Sequence, residues 1–523
     1  MEKIVDDIDF DQSVSPYLDL VDLLTPVLEL PRHLNRAITG VSANSQKVRP
    51  GYVFFATPGY GKLDGRDYIQ DAIVAGAVAV VSEIAQNDQV KTSLIMPPGE
   101  KKAVIPHIQI PNLRTMIGQI ASRYHGNPTQ QMQTIGVTGT NGKTTVTTLL
   151  TKALNRLQMK SGFIGTHGVG SNINKLKKTN MTTPGPFELQ AYMAQLRDEA
   201  CESVMMEVSS HAIAQHRVIG VNFDTVVLTN VTRDHLDYHR NIEEYIQIKR
   251  ELFLSYNAKH IVLNLDDQVG AQLAQRLHKQ RQIIGYSMRG AKLDNLPVVR
   301  GCQIRSTHSE LSMVVVFGQQ KRALKTHLMG DFNISNLLAV IASLVTLGFD
   351  FEQAVDSLQD ASAVGGRMQV LDGGSRKPMV VIDYAHSPSA LEAVLLNLRQ
   401  SCRRKLICVF GCGGERDQGK RRLMGKVAEA HADAVILTDD NPRAESPKSI
   451  VTDILKGFLC PWAVEVVHDR TEAIMAAISG AMPGDVILIA GKGNESYQIV
   501  GDQRVIFSDK EKAEFLLNLT DEI

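Results

Sequence analysis

Gly136-Val-Thr-Gly139-Thr140-Asn141-Gly142-Lys143-Thr144-Thr145 closes a short apolar run, Thr134–Thr138, and opens a stretch rich in Thr, Leu and Ala. A strand that turns through glycines into a helix has the layout of a phosphate-binding turn. Glycines let the backbone bend until several N–H groups converge on one phosphate. The helix N-terminus behind adds its partial positive charge. Lys143 is placed to reach the outer phosphates, and the Thr144 hydroxyl to ligate an accompanying Mg²⁺. Val137 stands where a common P-loop has its first glycine, so the spacing here is GxxGxxGKT. ATP or GTP is expected at Gly139, Thr140, Asn141, Gly142, Lys143, Thr144 and Thr145. The turn alone does not separate a ligase from a kinase or a nucleotide switch.

Outward from this turn, apolar strands read at Val204–Val208, Thr225–Thr229 and His260–Asn264. Upstream, Gly51–Thr57 and Ala77–Val81 flank a helix at about 65–76. The last third alternates more cleanly. Strands read at Met379–Ile382, Leu406–Phe410, Ala434–Thr438, Val464–Val467 and Val486–Ala490, with helices at Ser389–Leu398, Lys420–His431, Pro447–Phe458 and Thr471–Ser479. Strand–helix alternation implies mostly parallel sheets covered on both faces. The expected fold class is α/β in three domains. These are a small N-terminal α/β domain (1–111), a central P-loop-type parallel-sheet ATPase domain (112–361) and a C-terminal doubly wound, Rossmann-like domain (362–523). Ligands of such sheets bind beyond the C-terminal strand ends.

Composition narrows the class. A chain of 523 residues suits roughly three domains of about 150 residues. Lys+Arg 56 balance Asp+Glu 56, which argues against a non-specific nucleic-acid or anionic-membrane binder. Cys201, Cys302, Cys402, Cys408, Cys412 and Cys460 form no CxxC pair, so reduced thiols and a cytoplasmic setting are expected. The N-terminal MEKIVDDIDFDQ is acidic and unlike a signal peptide. No apolar stretch is long enough to insert in a membrane.

Chemistry-bearing residues cluster at the expected strand ends. Glu207 ends one apolar run and His235 follows another, so a carboxylate and an imidazole could hold Mg²⁺ beside a γ-phosphate. From the residues alone, Glu207 reads equally as a hydrogen-bonding or capping carboxylate. Lys249, in Glu243-Glu-Tyr-Ile-Gln-Ile-Lys249, reads by itself as a solvated lysine facing glutamates at helical spacing. His211, His216 and His239 read as structural residues or as groups lying behind the metal ligands.

Several motifs occur together and in order: Gly139-Thr-Asn-Gly-Lys-Thr-Thr145, Met206-Glu-Val-Ser-Ser-His211, Arg233-Asp-His-Leu-Asp-Tyr-His239, Phe332-Asn333-Ile-Ser-Asn336, Gly366-Arg-Met368, Asp383-Tyr-Ala-His386, Gly411-Cys-Gly-Gly414 and Asp440-Asn-Pro-Arg443. With them the chain resembles the Mur ligase family, which builds the peptide of bacterial cell-wall precursors. The resemblance covers nearly the whole chain. It is strongest to members that add the third residue to UDP-N-acetylmuramoyl-L-alanyl-D-glutamate.

That resemblance implies an ATP-dependent ligase using Mg²⁺. ATP would phosphorylate the D-glutamate side-chain carboxylate, and the amine of the added amino acid would displace the phosphate. Lys143, Glu207, His235 and Lys249 would be catalytic, with Lys249 carbamylated so that it joins Thr144, Glu207 and His235 around metal. Asn333 and Asn336 would lie near adenine, Asp383 near ribose and Arg367 near the γ-phosphate. The UDP-linked substrate maps onto Ser45, Gly61-Lys62-Leu63, Thr182, Thr183, Ser209, Gln215 and Arg217. Asn44 and Met181 depart there from the family's usual Asp and Asn.

The added amino acid would be meso-diaminopimelate, held by Arg416, Asp440, Asn441, Pro442, Arg443, Gly491 and Glu495. Asn494 replaces the usual His beside it. A guanidinium at Arg443 suits the distal carboxylate that distinguishes diaminopimelate from lysine. The expected enzyme is a monomer acting on small molecules. The alternatives are a folylpolyglutamate-synthase-like ligase and a nucleotide-dependent binding module that does not ligate.

Overall fold

The structure is a computed structural model that describes residues 18–25, 27–59, 63–97, 104–179, 181–307, 310–372 and 377–519. Gly61 and Lys62 lie outside the described residues, as does the acidic N-terminal stretch. The chain forms two compact units, Met1–Gly136 with Met159–Asp224 and Tyr256–Ala258, and Val137–Gln158 with Thr225–Ser255 and Lys259–Ile523.

In the first unit, five strands are ordered Gly40–Ser42, Tyr52–Ala56, Ala79–Ile84, Ile105–Pro111, Lys91–Ile95. All neighbours are parallel except the last pair. Val53, Phe55, Val81 and Ile108 bury one face against Leu20, Leu23, Ile117 and Ile120. Phe54, Val80 and Ala56 bury the other face with Ala72 and Ile73. Both faces are apolar, so the strands read as unbroken hydrophobic runs. Strands Ser161–Gly165 and Ser203–Glu207 of the same unit run parallel, and Gly168–Gly170 pairs antiparallel to the former. Strand Gln133–Thr138 carries the chain from the first unit into the second.

In the second unit, Thr225–Leu228, His260–Asn264, Gln282–Ser287 and Val298–Ser306 are successive parallel neighbours. Leu311–Phe317 and Gln320–Thr326 continue the sheet antiparallel. These last two were not legible as strands. Exposed Gln320, Lys321 and Lys325 interrupt the apolar pattern, as charged residues do on a strand that must not pair further. The sheet is therefore mixed at this end. Helix Lys143–Arg156 begins directly at the glycine turn, and helix Asp331–Thr346 packs against it.

Farther on in this unit is a six-stranded sheet ordered Gln369–Asp372, Met379–Asp383, Val486–Ala490, Leu406–Phe410, Ala434–Leu437, Glu465–Val466. Val381, Cys408 and Phe410 face helices Pro388–Ser401, Gly419–His431 and Pro447–Leu455. The alternate residues Val380, Ile382, Ile407 and Val409 face helices Arg470–Gly480 and Asp509–Leu519. This doubly wound layout matches the expectation. No helix among the described residues is long and apolar enough to cross a membrane. All six cysteines are unpaired.

One fully buried ion pair fastens the last helix. Arg470 Nε and Nη2 donate to the two carboxylate oxygens of Asp509 at 2.7 and 2.9 Å, and Nη2 also reaches the Ala490 carbonyl at 2.9 Å. Both side chains are 0% exposed. Removing one partner strands the other charge in the core, so Asp509→Ala should lose about 3–5 kcal/mol in urea unfolding. A loss under about 1 kcal/mol would show that the pair does not hold this helix.

Candidate active site

The glycine turn is tightly determined. Gly139 has φ +150° and Gly142 φ +88°, conformations that side chains disfavour. A Cβ on Gly139 would lie 1.8 Å from Thr229 Oγ1, and one on Gly142 would lie 2.5 Å from Asn336 Oδ1. The loop after strand Thr225–Leu228 braces the turn. Thr229 Oγ1 and Asn230 Nδ2 donate to the Asn141 carbonyl at 2.6 and 3.1 Å, and Asn141 N–H donates to Asn230 Oδ1 at 3.0 Å. Thr140 Oγ1 accepts from Thr232 N–H at 2.9 Å and meets the Tyr245 hydroxyl at 3.0 Å. Lys143 Nζ folds back on the turn, donating to the carbonyls of Gly139 and Thr140 at 2.9 and 3.0 Å.

Lys249 is not solvated. It is 1% exposed, and Nζ donates to the Gly139 carbonyl at 2.9 Å and stands 4.7 Å from the centre of the Tyr245 ring. Burial, and after it the nearby Lys143 cation, hold its amine well below the usual lysine range despite the Asp234 carboxylate. Helix Ile242–Leu254 turns Lys249 inward along with Tyr245, Leu252 and Phe253. Glu243 and Glu244 precede Lys249 by six and five residues, and the positions four and three before it are Tyr245 and Ile246, so its own face of the helix is apolar.

Asp234 is the buried anion of this neighbourhood. Its carboxylate is 3.5 Å from His235 Nε2 and 3.7 Å from His386 Nε2. Burial opposes its charge. Even so, the hydrogen bond from His386 and the charges of His235, His386 and Lys420 hold its carboxyl well below the usual range. His239 is buried against Tyr245, its ring centroid 5.2 Å away, which fits a structural role.

Arg367 Nη2 donates to Thr144 Oγ1 at 3.2 Å, and the guanidinium lies 4.4 Å from the centre of the Tyr384 ring. Its Nε is buried without a hydrogen-bond partner among the described residues. Asp383 supports the turn that carries Arg367. Its carboxylate accepts from Met368 N–H at 2.7 Å and Ala385 N–H at 2.8 Å. Burial pushes the Asp383 carboxyl up, and Arg367 opposes it. Asn336 Nδ2 donates to Asn333 Oδ1 at 2.9 Å, and Asn333 Nδ2 to the Met329 carbonyl at 2.6 Å.

The loop beyond strand Ala434–Leu437 carries Asp440, Asn441, Pro442 and Arg443. Arg443 adopts φ +53°, and its backbone is fixed by Arg443 N–H donating to the Ile499 carbonyl at 3.1 Å and Gly501 N–H to the Arg443 carbonyl at 2.9 Å. Arg443 Nη1 donates to the Gly414 carbonyl at 2.7 Å, which aims the fork. A Cβ on Gly491 would lie 2.7 Å from Asp440 Oδ2, so the two loops meet there. Asn441 Nδ2 donates to Glu495 Oε2 at 3.0 Å. Arg416 is 52% exposed, with Nη1 3.6 Å from Asp237. Asn494 is exposed, and its backbone packs on Gly366.

The first unit holds a separate polar group. Glu207 is fully buried, accepting from Thr166 N–H at 2.9 Å and from Thr166 Oγ1 at 3.1 Å. Thr166 Oγ1 and Thr182 Oγ1 are 3.1 Å apart. Thr183 Oγ1 donates to the Glu207 carbonyl at 2.7 Å and accepts from Ser209 N–H at 3.1 Å. Arg217 Nε donates to Gln215 Oε1 at 2.9 Å, and Nη1 to the Thr183 carbonyl at 3.0 Å and Met181 Sδ at 3.1 Å. Thr182, Thr183, Ser209, Gln215, Arg217 and Glu207 thus form one group, with the departing Met181 at its margin. Ser45 opens the 3₁₀ turn Ser45–Lys47, and Asn44 Oδ1 caps it by accepting from Gln46 N–H at 3.0 Å. An asparagine supplies that capping oxygen as an aspartate would.

The chain matches the descriptions Mur ligase family, catalytic domain over residues 37–125, Mur ligase middle domain over 137–344, and Mur ligase, glutamate ligase domain over 366–493. It is 43% identical over 477 residues to the UDP-N-acetylmuramoyl-L-alanyl-D-glutamate--2,6-diaminopimelate ligase of Coxiella burnetii, spanning 91% of this chain and 95% of that one. The chain belongs to the Mur ligase family. It is an ATP-dependent ligase with that family's three-domain architecture.

A solved UDP-N-acetylmuramoyl-L-alanyl-D-glutamate--2,6-diaminopimelate ligase shares 31% identity with this Mur ligase, with TM-score 0.65 over 97% of this chain and 99% of that one. The folylpolyglutamate synthase of Mycobacterium tuberculosis complexed with ADP and AMPPCP, at 18% identity, has TM-score 0.57 over 72% of this chain and 92% of that one. That last likeness is one of fold alone.

Sequence reading passed over Asp234, Tyr245 and Lys492 of this Mur ligase. Asp234 lay in a quoted motif, between Arg233 and His235, and two basic neighbours were its signal. Lys492 lay between two glycines, a position that gave no hint of burial. Lys143→Ala should lower ATP turnover about 100-fold or more while circular dichroism stays unchanged. Near-normal phosphate release from a folded variant would remove Lys143 from phosphate binding.

Proposed function

We propose that this Mur ligase joins meso-diaminopimelate to the D-glutamate side-chain carboxylate of UDP-N-acetylmuramoyl-L-alanyl-D-glutamate, converting ATP to ADP and phosphate. The observation that carries the choice of amino acid is Arg443, held by main-chain pairing at a sheet end with its guanidinium steered by the Gly414 carbonyl. Diaminopimelate differs from lysine by one distal carboxylate, and a guanidinium fork matches that group. Asp440, Asn441, Pro442, Gly491 and Glu495, packed around the same loop, complete the amino-acid site, with Arg416 at its edge.

In the first step a carboxylate oxygen of D-glutamate attacks the γ-phosphorus of ATP, and ADP leaves. Backbone N–H groups of the Gly139–Thr145 turn and Lys143 hold the phosphates. Arg367, set against Thr144 by the Asp383-supported turn, meets the charge that develops on the transferred group. Asn333, Asn336 and Asp383 bound the adenine and ribose side. In the second step the amine of diaminopimelate attacks the acyl carbon, and phosphate leaves. Ser45, Thr182, Thr183, Ser209, Gln215 and Arg217 bind the UDP-linked acceptor.

Thr144 in the second unit would offer Mg²⁺ an oxygen donor, with His235 as a further contact, and Glu207 in the first unit is a carboxylate of the kind such an ion takes. When bound, it offsets phosphate charge. Lys249 is chemically prepared for carbamylation. Its neutral amine attacks CO₂, forming a carbamate and releasing one proton, and burial with Lys143 nearby favours that neutral form. We assign 1–111 to the UDP-substrate, 112–361 to ATP and 362–523 to the amino acid, in a monomer working in the cytoplasm.

Two measurements test this reading. Arg443→Ala should lose at least about 10-fold in kcat/KM for diaminopimelate, the size of one charge-assisted hydrogen bond. A wild type that uses lysine equally well, or a variant that keeps full preference, would contradict the assignment. Lys249→Ala should be nearly inactive and partly rescued by acetate or formate. Wild-type rates without rescue would exclude the carbamate.

A further inference from the structure

Lys492 is 0% exposed, yet it lies in the loop after strand Val486–Ala490 and not in a hydrophobic core. Its Nζ donates to Glu495 Oε2 at 2.9 Å and to Asn441 Oδ1 at 3.1 Å, and stands 5.7 Å from the centre of the Tyr497 ring. Asn441 Oδ1 also accepts from Ile499 N–H at 2.9 Å. An ammonium and a backbone N–H can only donate, so the atom facing both must be the amide oxygen. The amide nitrogen is thereby turned to Glu495 Oε2, which it reaches at 3.0 Å.

From this we infer that Lys492 is a positioning residue for the amino-acid substrate, acting through Asn441 and Glu495. The inference rests on the diaminopimelate reading above. Glu495 Oε2 is occupied by Lys492 and Asn441 together, which fixes the plane of the carboxylate and leaves Oε1 for an incoming ammonium group. The same Asn441 precedes Pro442 and Arg443, and its carbonyl accepts from Gly414 N–H at 2.9 Å. One buried cation therefore sets two groups at once. It orients the carboxylate for a substrate ammonium, and it anchors the loop whose guanidinium takes a substrate carboxylate. An amino acid with both charges at its distal centre engages both groups.

Burying a lysine is costly unless its charge is paired and its donors are used. Here the donors serve the substrate loop and no distant part of the fold. Lys492→Met keeps the length and apolar stem of the side chain and removes the donors. The variant should raise KM for diaminopimelate about 30-fold, the size of a lost charge-assisted hydrogen bond. KM for ATP should stay within about threefold and kcat at saturation should change little.

In Glu495→Gln, adding Lys492→Met should cost little more, because the two act as one unit. Additive losses, an unchanged KM for diaminopimelate or an equal rise in KM for ATP would overturn the inference. If Lys492→Met fails to fold by circular dichroism, Asn441→Ala combined with Glu495→Gln tests the same relay, and additivity there overturns it. Wild-type enzyme assayed in parallel separates the two readings. Failure of wild type to use diaminopimelate refutes the substrate, whereas its use with an unchanged Lys492→Met refutes only the relay.

Discussion

The backbone at Gly139 and Gly142 has no room for a side chain, and Lys143, Lys249 and Thr229 are arranged around that fact. With a Cβ at either position the turn would collide with Thr229 or Asn336, so the bend that gathers N–H groups is available to glycine alone. Lys143 and Lys249 both donate to the Gly139 carbonyl. Burial, with the Lys143 cation beside it, pushes the Lys249 amine well below the usual lysine range. The lowered amine of Lys249 therefore owes most to burial and, after it, to the lysine that the phosphate turn brings near.

Around this turn, short polar residues hold longer polar side chains in place. Asp383 takes two backbone N–H groups and thereby shapes the turn that presents Arg367. Asp234 gathers His235 and His386 about one buried carboxylate. Asn441 is locked by donors on one side and an acceptor on the other. In each case a short polar side chain fixes a loop by satisfying backbone or side-chain partners, and beside Asp383 and Asn441 an arginine projects from that loop. Fixing the loop before substrate arrives removes a reorganisation that the reaction would otherwise have to include.

Much of this was legible in the sequence, for physical reasons. Val380–Ile382 and Ile407–Phe410 read as strands because both sheet faces are covered, leaving no polar interruption. The glycine turn was legible because its spacing encodes a bend. Gln320–Thr326 was not, since an edge strand with charged residues lacks both signals. Lys249 misled by local pattern, because helical spacing reports neighbours along one helix and says nothing of what packs against the helix. Lys492 was silent for the same reason, and the basic neighbours of Asp234 did not reveal His386. Their partners, Asn441 and His386, are far away in the chain and near only in the fold.

Arg443 owes its place to main-chain pairing with residues 499–501, in the hairpin of Tyr497–Val500 and Gln503–Ile506, whose side chains are largely exposed. Carbonyls and N–H groups are common to every residue except proline. The hairpin can therefore drift widely in composition without disturbing the guanidinium. A one-residue insertion or deletion there would instead shift the carbonyl that Arg443 meets and turn the neighbouring side chains over. What this loop inherits, then, is a length and a register more than an identity.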